Sequence, residues 1–139
     1  MTVKIFVYGT LMQGLPNYQV VEDYVLNAEP GIIRGKLYSV SGFFPAAVLN
    51  GSESVIIGEW FTIRKEGLKY TDRLEGFRGR GMANHYERVE VIDITGTYSG
   101  WVYVYDHTKF MKDSSYPLIE SGSWREYTGT EEKQAVLHY

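Results

Sequence analysis

The chain carries near its start the stretch VYGTLMQGLPN at residues 7–17, where an apolar segment runs into a turn that contains two glycines. Residues 3–8 are mostly β-branched or aromatic, which predicts a buried strand. Gly9 ends that strand where the backbone must turn or closely approach a ligand. The pattern therefore predicts a strand, a tight loop and then a helix over residues 18–26, with Pro16 in its first turn.

Composition limits what this loop can belong to. The 139 residues fit a single domain with its own core, and the net charge of −3 argues against a nucleic-acid partner. The absence of cysteine removes disulfides and thiolate catalysis, and it fits a cytoplasmic protein. No apolar run is long enough to span a bilayer and the first residues lead directly into a strand, so we expect neither a membrane segment nor an export signal.

The segment after the predicted helix is expected to be extended. Glu29-Pro30-Gly31 breaks the pattern, and residues 32–40 then alternate apolar with small or polar side chains, as in a half-buried strand with a bend at Gly35. Residues 43–49 and 54–63 are typical of two further strands. We expect these two strands to pair as a hairpin across the asparagine-glycine turn between them.

The second half of the chain combines a helix with another hairpin. Residues 65–74 are predicted to form a short helix that ends at Gly76, because glycine favours the position just past a helix C-terminus. Residues 86–94 and 98–105 alternate in the manner of strands and predict a second hairpin.

The signal weakens beyond this hairpin, and residues 128–139 are predicted to form a tail that wraps the domain or frays. Residues 1–139 are therefore expected to form one domain of the α+β class. We expect a small, mainly antiparallel β-barrel with flanking helices.

The first candidate for chemistry is the opening loop. Consecutive backbone N–H groups after Gly9 can cradle an anion such as a carboxylate, because glycine turns let neighbouring amides converge. The loop matches neither glycine pattern of phosphate sites, so nucleotide binding is not predicted. From this stretch alone, a simple strand-ending turn explains Gly9 equally well.

The second candidate is Glu75, in the stretch TDRLEGF at residues 71–77. A carboxylate in the last turn of a helix meets the negative end of the helix dipole, at a cost of roughly 0.3–1 kcal/mol. Glu75 lies beside Leu74 and nearly above Leu68 on a helix, at the margin of the buried stripe, where partial burial raises a carboxyl pKa toward neutrality. A general base in a pocket wall is one interpretation. The alternative is a salt bridge to one of three arginines: Arg73, Arg78 or Arg88.

Other residue types add less. The three histidines are too far apart for a spaced metal motif, so no metal is predicted. Tyr8, Tyr86 and Tyr105 are candidates to place a hydroxyl against a substrate, with core packing as the alternative.

Five stretches occur in order along the chain: VYGTLMQGLPN, LYSVSGFFPAAV, DRLEGF, YER and WVYVY. Together they closely resemble the γ-glutamylcyclotransferase-like family, in the branch that includes γ-glutamylamine cyclotransferases and AIG2-like proteins. The resemblance covers about residues 3–127. It implies a small mixed β-barrel with flanking helices around a cavity.

The resemblance also implies roles. Tyr8, Gly9, Thr10 and Leu11 would line a loop whose amides hold the α-carboxylate of a γ-glutamyl group, and Glu75 would be the general acid and base. The substrate's α-amine would attack its own γ-carbonyl, releasing 5-oxoproline and a free amine, with no cofactor.

Two features bear on the substrate. Leu11 follows the YGTL form and not the YGxN form that resembles the branch acting on γ-glutamyl amino acids, so γ-glutamyl amines are favoured over glutathione or γ-glutamyl dipeptides. The loop from Arg78 to Asn84 matches no trusted pattern and is expected where the amine side emerges. Two other classes stay open: a module that binds a small carboxylate without turnover, and another hydrolase or transferase. The oligomeric state is not predicted.

Overall fold

The computed structural model describes residues 1–40, 42–49, 51, 53–105 and 116–129. Helix α1 spans Leu68–Glu75, and a further helical segment covers residues 124–129. The strands are β1 (Thr2–Val7), β2 (Val25–Arg34), β3 (Lys36–Val40), β4 (Phe44–Val48), β5 (Val55–Arg64), β6 (Tyr86–Ile92) and β7 (Ser99–Tyr105).

A five-stranded sheet with the order β2-β5-β1-β7-β6 forms the centre of the fold. The predicted first strand is confirmed as β1, which lies in the middle of this sheet, antiparallel to β5 and parallel to β7. Ile5, Phe6 and Val7 are buried, because a central strand is covered on both faces. The loop that follows β1 is thereby attached to the most enclosed part of the molecule.

The two predicted hairpins have different outcomes. The second is confirmed, since β6 pairs with β7 from Tyr86 opposite Tyr105 to Ile92 opposite Ser99. The first is wrong, because β4 pairs with β3 in a separate two-stranded sheet, while β5 pairs with β1 and β2. The predicted bend at Gly35 is confirmed and explains the error. With φ of +155°, Gly35 separates β2 from β3 and passes the chain from one sheet to the other.

Residues 29–31 do not break the pattern as predicted, because they lie inside β2. Pro30 is tolerated there since β2 is an edge strand, where a missing backbone donor leaves no partner unsatisfied in the sheet. Gly31 is small for a packing reason, since a Cβ atom at this position would lie 2.3 Å from the Trp60 ring.

The helix predicted over residues 18–26 is also wrong. The chain forms two short 3₁₀ helices, Tyr18–Val20 and Glu22–Tyr24, and β2 begins at Val25. Valines in this segment are stiff at χ1 and disfavour a continuous α-helix, and the structure buries Val21 completely. The helix predicted over 65–74 is confirmed as a 3₁₀ turn followed by α1, which ends at Gly76 in the left-handed conformation with φ of +68°.

The α+β class and the mostly antiparallel sheet are confirmed. A closed barrel is not seen within the described residues, because β2 and β6 are the two edges of the large sheet and β3 pairs with β4 alone. None of the helices described here is long and apolar enough to cross a membrane. Most of the predicted tail, residues 130–139, lies outside the described residues.

Asp93 fastens the β6–β7 hairpin to the rest of the sheet. Its side chain is buried, and its Oδ1 accepts hydrogen bonds of 2.9 Å from the Ile32 amide and from Trp60 Nε1. Its Oδ2 accepts from the amide and the hydroxyl of Thr95 at 3.0 and 2.6 Å. Burial alone raises the pKa of Asp93, but the bonds from Thr95, Ile32 and Trp60 outweigh burial and hold it at about 2.

We expect the Asp93→Asn variant to lose about 1–3 kcal/mol of unfolding free energy at pH 7, because an amide group turns one acceptor into a donor that faces other donors. The stabilisation by ionised Asp93 is present above the ordinary aspartate pKa and is lost as the pH falls toward about 2. Urea titrations at pH 7 and pH 3 measure both effects, with the exposed Asp23→Asn as the matched control. Equal stability of wild type and Asp93→Asn at pH 7 would contradict this assignment.

Candidate active site

A cavity of about 180 Å³ lies between the loop after β1 and the C-terminal end of α1. It is smaller than the roughly 300–1,000 Å³ of sites for drug-sized ligands, so it suits a small acyl group with the rest of a larger substrate outside. The sequence-predicted residues that line it are Tyr8, Gly9, Thr10, Leu11, Glu75 and Tyr86.

Three consecutive residues of the loop line the cavity. Among the described residues, the N–H groups of Gly9, Thr10 and Leu11 donate to no protein acceptor, whereas the amide of Met12 donates back to the Gly9 carbonyl at 3.0 Å. Asn17 closes the loop, because its amide donates to the Thr10 carbonyl at 2.9 Å and its Nδ2 donates to Thr10 Oγ1 at 2.7 Å. Consecutive backbone N–H groups that have no acceptor of their own can bind an anion in a turn.

The far side of the same loop is anchored at Gln13. The Gln13 amide donates to Glu59 Oε1 at 2.9 Å, and its carbonyl accepts from Arg125 Nη2 at 2.8 Å. The loop is therefore held from both sides while the amides at its start stay available.

Gly9 is a glycine because the loop lies against β4. A Cβ atom at Gly9 would lie 2.8 Å from Pro45 Cγ, closer than real Cβ contacts. Pro45 cannot easily move, since its carbonyl accepts a 2.6 Å bond from the Tyr86 hydroxyl. The Tyr8 hydroxyl fixes the next part of β4 by accepting from the Ala47 amide at 3.3 Å, and it donates to the Tyr103 carbonyl at 2.5 Å.

Glu75 is the acidic residue in the lining of this cavity. Its side chain is half-buried at the end of α1, and burial raises the pKa of Glu75 from 4.5 to about 7. Within the described part of the chain no ion pair engages Glu75, since Arg88 pairs with Asp72 at 2.6 Å. The predicted alternative, a salt bridge from Glu75 to an arginine, is therefore not observed among the described residues. A carboxyl group that titrates near neutral pH can both accept and donate a proton.

The two remaining tyrosine candidates differ in position. Tyr86 is buried in the lining, and burial is the main cause that raises its pKa, so it stays a neutral phenol bonded to the Pro45 carbonyl. Tyr105 does not line the cavity as far as the described residues show. Its ring packs edge-on against those of Tyr86 and His85, with centroids 5.5 and 5.7 Å apart, so it supports the wall instead.

Several lining residues are absent from the sequence prediction. Tyr103 lies on the same strand face as Tyr105 by simple alternation, and this alternation could have identified it from the sequence. Phe44 and Pro45 reach the cavity on β4, whose pairing with β3 no local pattern indicated. His85 precedes Tyr86 directly, and Asn17 ends the opening stretch. No group of three or more histidine, aspartate or glutamate side chains among the described residues is arranged to hold a metal ion.

The chain is similar to known proteins along most of its length. The family model described as "Gamma-glutamyl cyclotransferase, AIG2-like" matches residues 5–126. A γ-L-glutamyl-butirosin B γ-glutamyl cyclotransferase from Niallia circulans is 32% identical, and the match covers 97% of this chain and 86% of the relative. A putative γ-glutamylcyclotransferase from Methanocaldococcus jannaschii is 30% identical, with 90% of this chain and 98% of the relative covered.

A solved structure shows the same fold. The crystal structure of an AIG2-like protein from Mus musculus superposes with a TM-score of 0.64 and 23% identity, and the match covers 86% of each chain.

Proposed function

Because this chain belongs to the γ-glutamyl cyclotransferase, AIG2-like family, we propose that it converts a γ-glutamyl amine, or a related γ-glutamyl compound, into 5-oxoproline and a free amine. The observation that carries the proposal is the shared cavity. It is lined by loop residues whose backbone N–H groups donate to no acceptor among the described residues, and by Glu75, whose carboxyl group has a pKa of about 7. The relative named as a cyclotransferase of γ-L-glutamyl-butirosin B supports the γ-glutamyl part of the proposal.

The proposed substrate lies with its α-carboxylate on the amides of Gly9, Thr10 and Leu11. The adjoining Tyr8 contributes cavity wall, since its hydroxyl is already bonded to β4 and β7. Tyr86 forms another part of the wall. The small volume favours a bent glutamyl chain, which brings the α-amine near the γ-carbonyl and supplies the proximity term of catalysis.

Glu75 carries the proton transfers of the proposed reaction. Its carboxylate takes a proton from the α-ammonium group, and the freed amine attacks the γ-carbonyl carbon to form the ring C–N bond. The original amide C–N bond then breaks. Of the two protons that the α-nitrogen gives up, Glu75 returns one to the leaving nitrogen, and the other ends on the released amine, which departs as its ammonium ion. No water is consumed and no cofactor takes part, so one side chain of suitable pKa serves both steps.

A panel of γ-glutamyl amines and γ-glutamyl amino acids, assayed for 5-oxoproline with the purified protein, tests the proposal. We expect turnover of at least one γ-glutamyl amine, and a lower kcat/KM for γ-glutamyl amino acids. If no member of the panel is turned over while 5-oxoproline still binds in a calorimeter, the carboxylate-binding module is supported and the enzymatic proposal fails.

The pKa of Glu75 sets the expected pH dependence. Because the carboxylate is the form that accepts the first proton, kcat/KM should rise with pH, reach half its plateau near pH 7 and level off above it. Initial rates from pH 5 to 9 measure this limb. A profile that is flat between pH 5 and 8 would contradict the role given to Glu75.

A further inference from the structure

Arg88 contacts the chain on both sides of Glu75. Its Nη1 donates to Asp72 Oδ2 at 2.6 Å, three residues before Glu75. Its guanidinium lies over the ring of Phe77, two residues after Glu75, with 4.9 Å between the guanidinium carbon and the ring centroid. The ring of Trp101 on β7 packs against the same guanidinium at 4.8 Å. One side chain of β6 thus holds the two flanks of Glu75 against the large sheet.

Tyr103 ties the same part of α1 to β7. Its hydroxyl donates to Asp72 Oδ1 at 2.6 Å and lies 2.6 Å from Thr71 Oγ1, so each oxygen of Asp72 is bonded to a different strand. The backbone carbonyl of Asp72 accepts from the Phe77 amide at 2.9 Å, which closes the helix end around Glu75. Asp72 is therefore the point where the helix end, β6 and β7 meet.

Apolar packing covers α1 only in part, with Leu68 partly buried against the core. Thr71 is the buried residue of this eight-residue helix, and Leu74 remains 39% exposed. The side chains of Arg88 and Asp72 are 18% and 23% exposed, so their attraction is less screened by solvent than that of a surface pair. The polar contacts of Asp72 therefore add to this packing in fixing the place of the helix end in the cavity.

We propose that Arg88, Asp72 and Tyr103 form a clamp that positions the Glu75 carboxyl group in the cavity for the reaction. They are positioning residues, because they act on the substrate through Glu75. Their effect on turnover rests on the proposed function, whereas their effect on the place of Glu75 does not.

The chemistry of the two ring contacts requires arginine. A planar guanidinium can stack between Phe77 and Trp101 while its edge bonds Asp72, and a lysine ammonium group cannot do both. Arg88→Lys therefore keeps the positive charge but cannot contact both rings and Asp72 at the same time. Tyr103→Phe keeps the ring in the cavity wall and removes only the hydroxyl bonded to Asp72 and Thr71.

Two matched controls lie outside the cavity. Arg64 also lies over an aromatic ring, that of Tyr24 at 5.1 Å, and also donates to an oxygen, the Asp23 carbonyl, at 2.9 Å. Tyr98 also donates its hydroxyl to a carboxylate, that of Glu29. Arg64→Lys and Tyr98→Phe therefore make the same chemical changes away from Glu75.

Steady-state kinetics on the best substrate of the panel is the first measurement. We expect kcat to fall about 100-fold in Arg88→Lys and about 10-fold in Tyr103→Phe, with KM changed by less than about threefold, because the base is misplaced while the loop amides are intact. The two control variants should keep kcat within about twofold of wild type.

The titration of the ¹³C-labelled carboxyl group of Glu75, followed by NMR, is the second measurement and needs no turnover. Its midpoint should move from about 7 toward the ordinary glutamate range in Arg88→Lys, as the half-buried carboxyl group becomes more exposed to solvent. A wild-type kcat and midpoint in both folded clamp variants would overturn the proposal. If Arg88→Lys does not fold, kcat and the NMR midpoint of Glu75 in Tyr103→Phe test the proposal. If the wild type turns over no substrate, the proposed function fails, and the NMR midpoints alone decide on the clamp.

Discussion

Replacing Glu75 with glutamine should lower kcat for 5-oxoproline formation by about 10²–10⁴-fold, the usual contribution of a positioned general acid and base. Glutamine keeps the shape of the side chain in the cavity but can neither take the α-ammonium proton nor return it to the leaving nitrogen. KM should change little, because the proposed carboxylate contacts belong to the loop after β1. The measurement is the rate of 5-oxoproline release at pH 8, where the wild-type carboxylate is ionised.

The same substitution should stabilise the fold at pH 8. The pKa of Glu75 is raised to about 7 in the folded protein, so its favourable contribution is complete below pH 4.5 and is lost as the pH rises through 7. Glutamine stays neutral throughout. Urea unfolding should therefore show Glu75→Gln more stable than wild type by up to about 3 kcal/mol at pH 8, and equal to it at pH 4.

The opposite changes in rate and stability separate lost chemistry from a damaged fold. Glu120→Gln, on an exposed position of the chain, is a suitable control for the charge change. Full activity of Glu75→Gln on a substrate that the wild type turns over would remove Glu75 from the mechanism.

Replacing Gly9 with alanine should lower kcat/KM by about 100-fold, mostly through a higher KM. The new methyl carbon would lie 2.8 and 3.3 Å from Pro45 Cγ and Cδ, two ring atoms with little freedom to move. Since Tyr8 and Tyr86 also fix β4, the loop and its amides must shift instead. The added volume should also cost about 1–3 kcal/mol of unfolding free energy.

Gly129→Ala is the matched control, because a Cβ atom there meets nothing within 4 Å and its backbone needs no left-handed conformation. Kinetics on the best substrate and binding of 5-oxoproline by calorimetry measure the loss. An unchanged KM in Gly9→Ala would show that the loop amides do not hold the substrate.

Local patterns account for the parts of the fold that the sequence predicts well. β1 and the β6–β7 hairpin follow from side-chain alternation, and the end of α1 follows from Gly76, whose left-handed backbone disfavours other residues. Glu75 could be singled out because a carboxylate is unfavourable at a helix C-terminus, whereas Gly9 was equally well explained as a simple strand-ending turn. Their meeting in one cavity was implied by the family resemblance and is a property of the three-dimensional fold.

The sequence predictions are wrong where contacts between residues distant along the chain determine the structure. Val21, Tyr24 and Val25 recur at helical spacing, but packing in the core turns this segment into two 3₁₀ helices and the start of β2. β4 pairs with β3 instead of β5, since β5 is occupied on both sides by β1 and β2. The bond from Tyr103 to Asp72 spans 31 residues, so no local pattern could reveal it.

The central place of β1 has a consequence for synthesis on the ribosome. β1 emerges before both of its partners and needs β5 on one side and β7 on the other, and the bond from Tyr8 to the Tyr103 carbonyl joins residues 95 positions apart. Such sequence-distant pairing slows folding, because a long loop must close before the contacts reward it. A nascent chain should therefore have no competent cavity until β7 has left the exit tunnel.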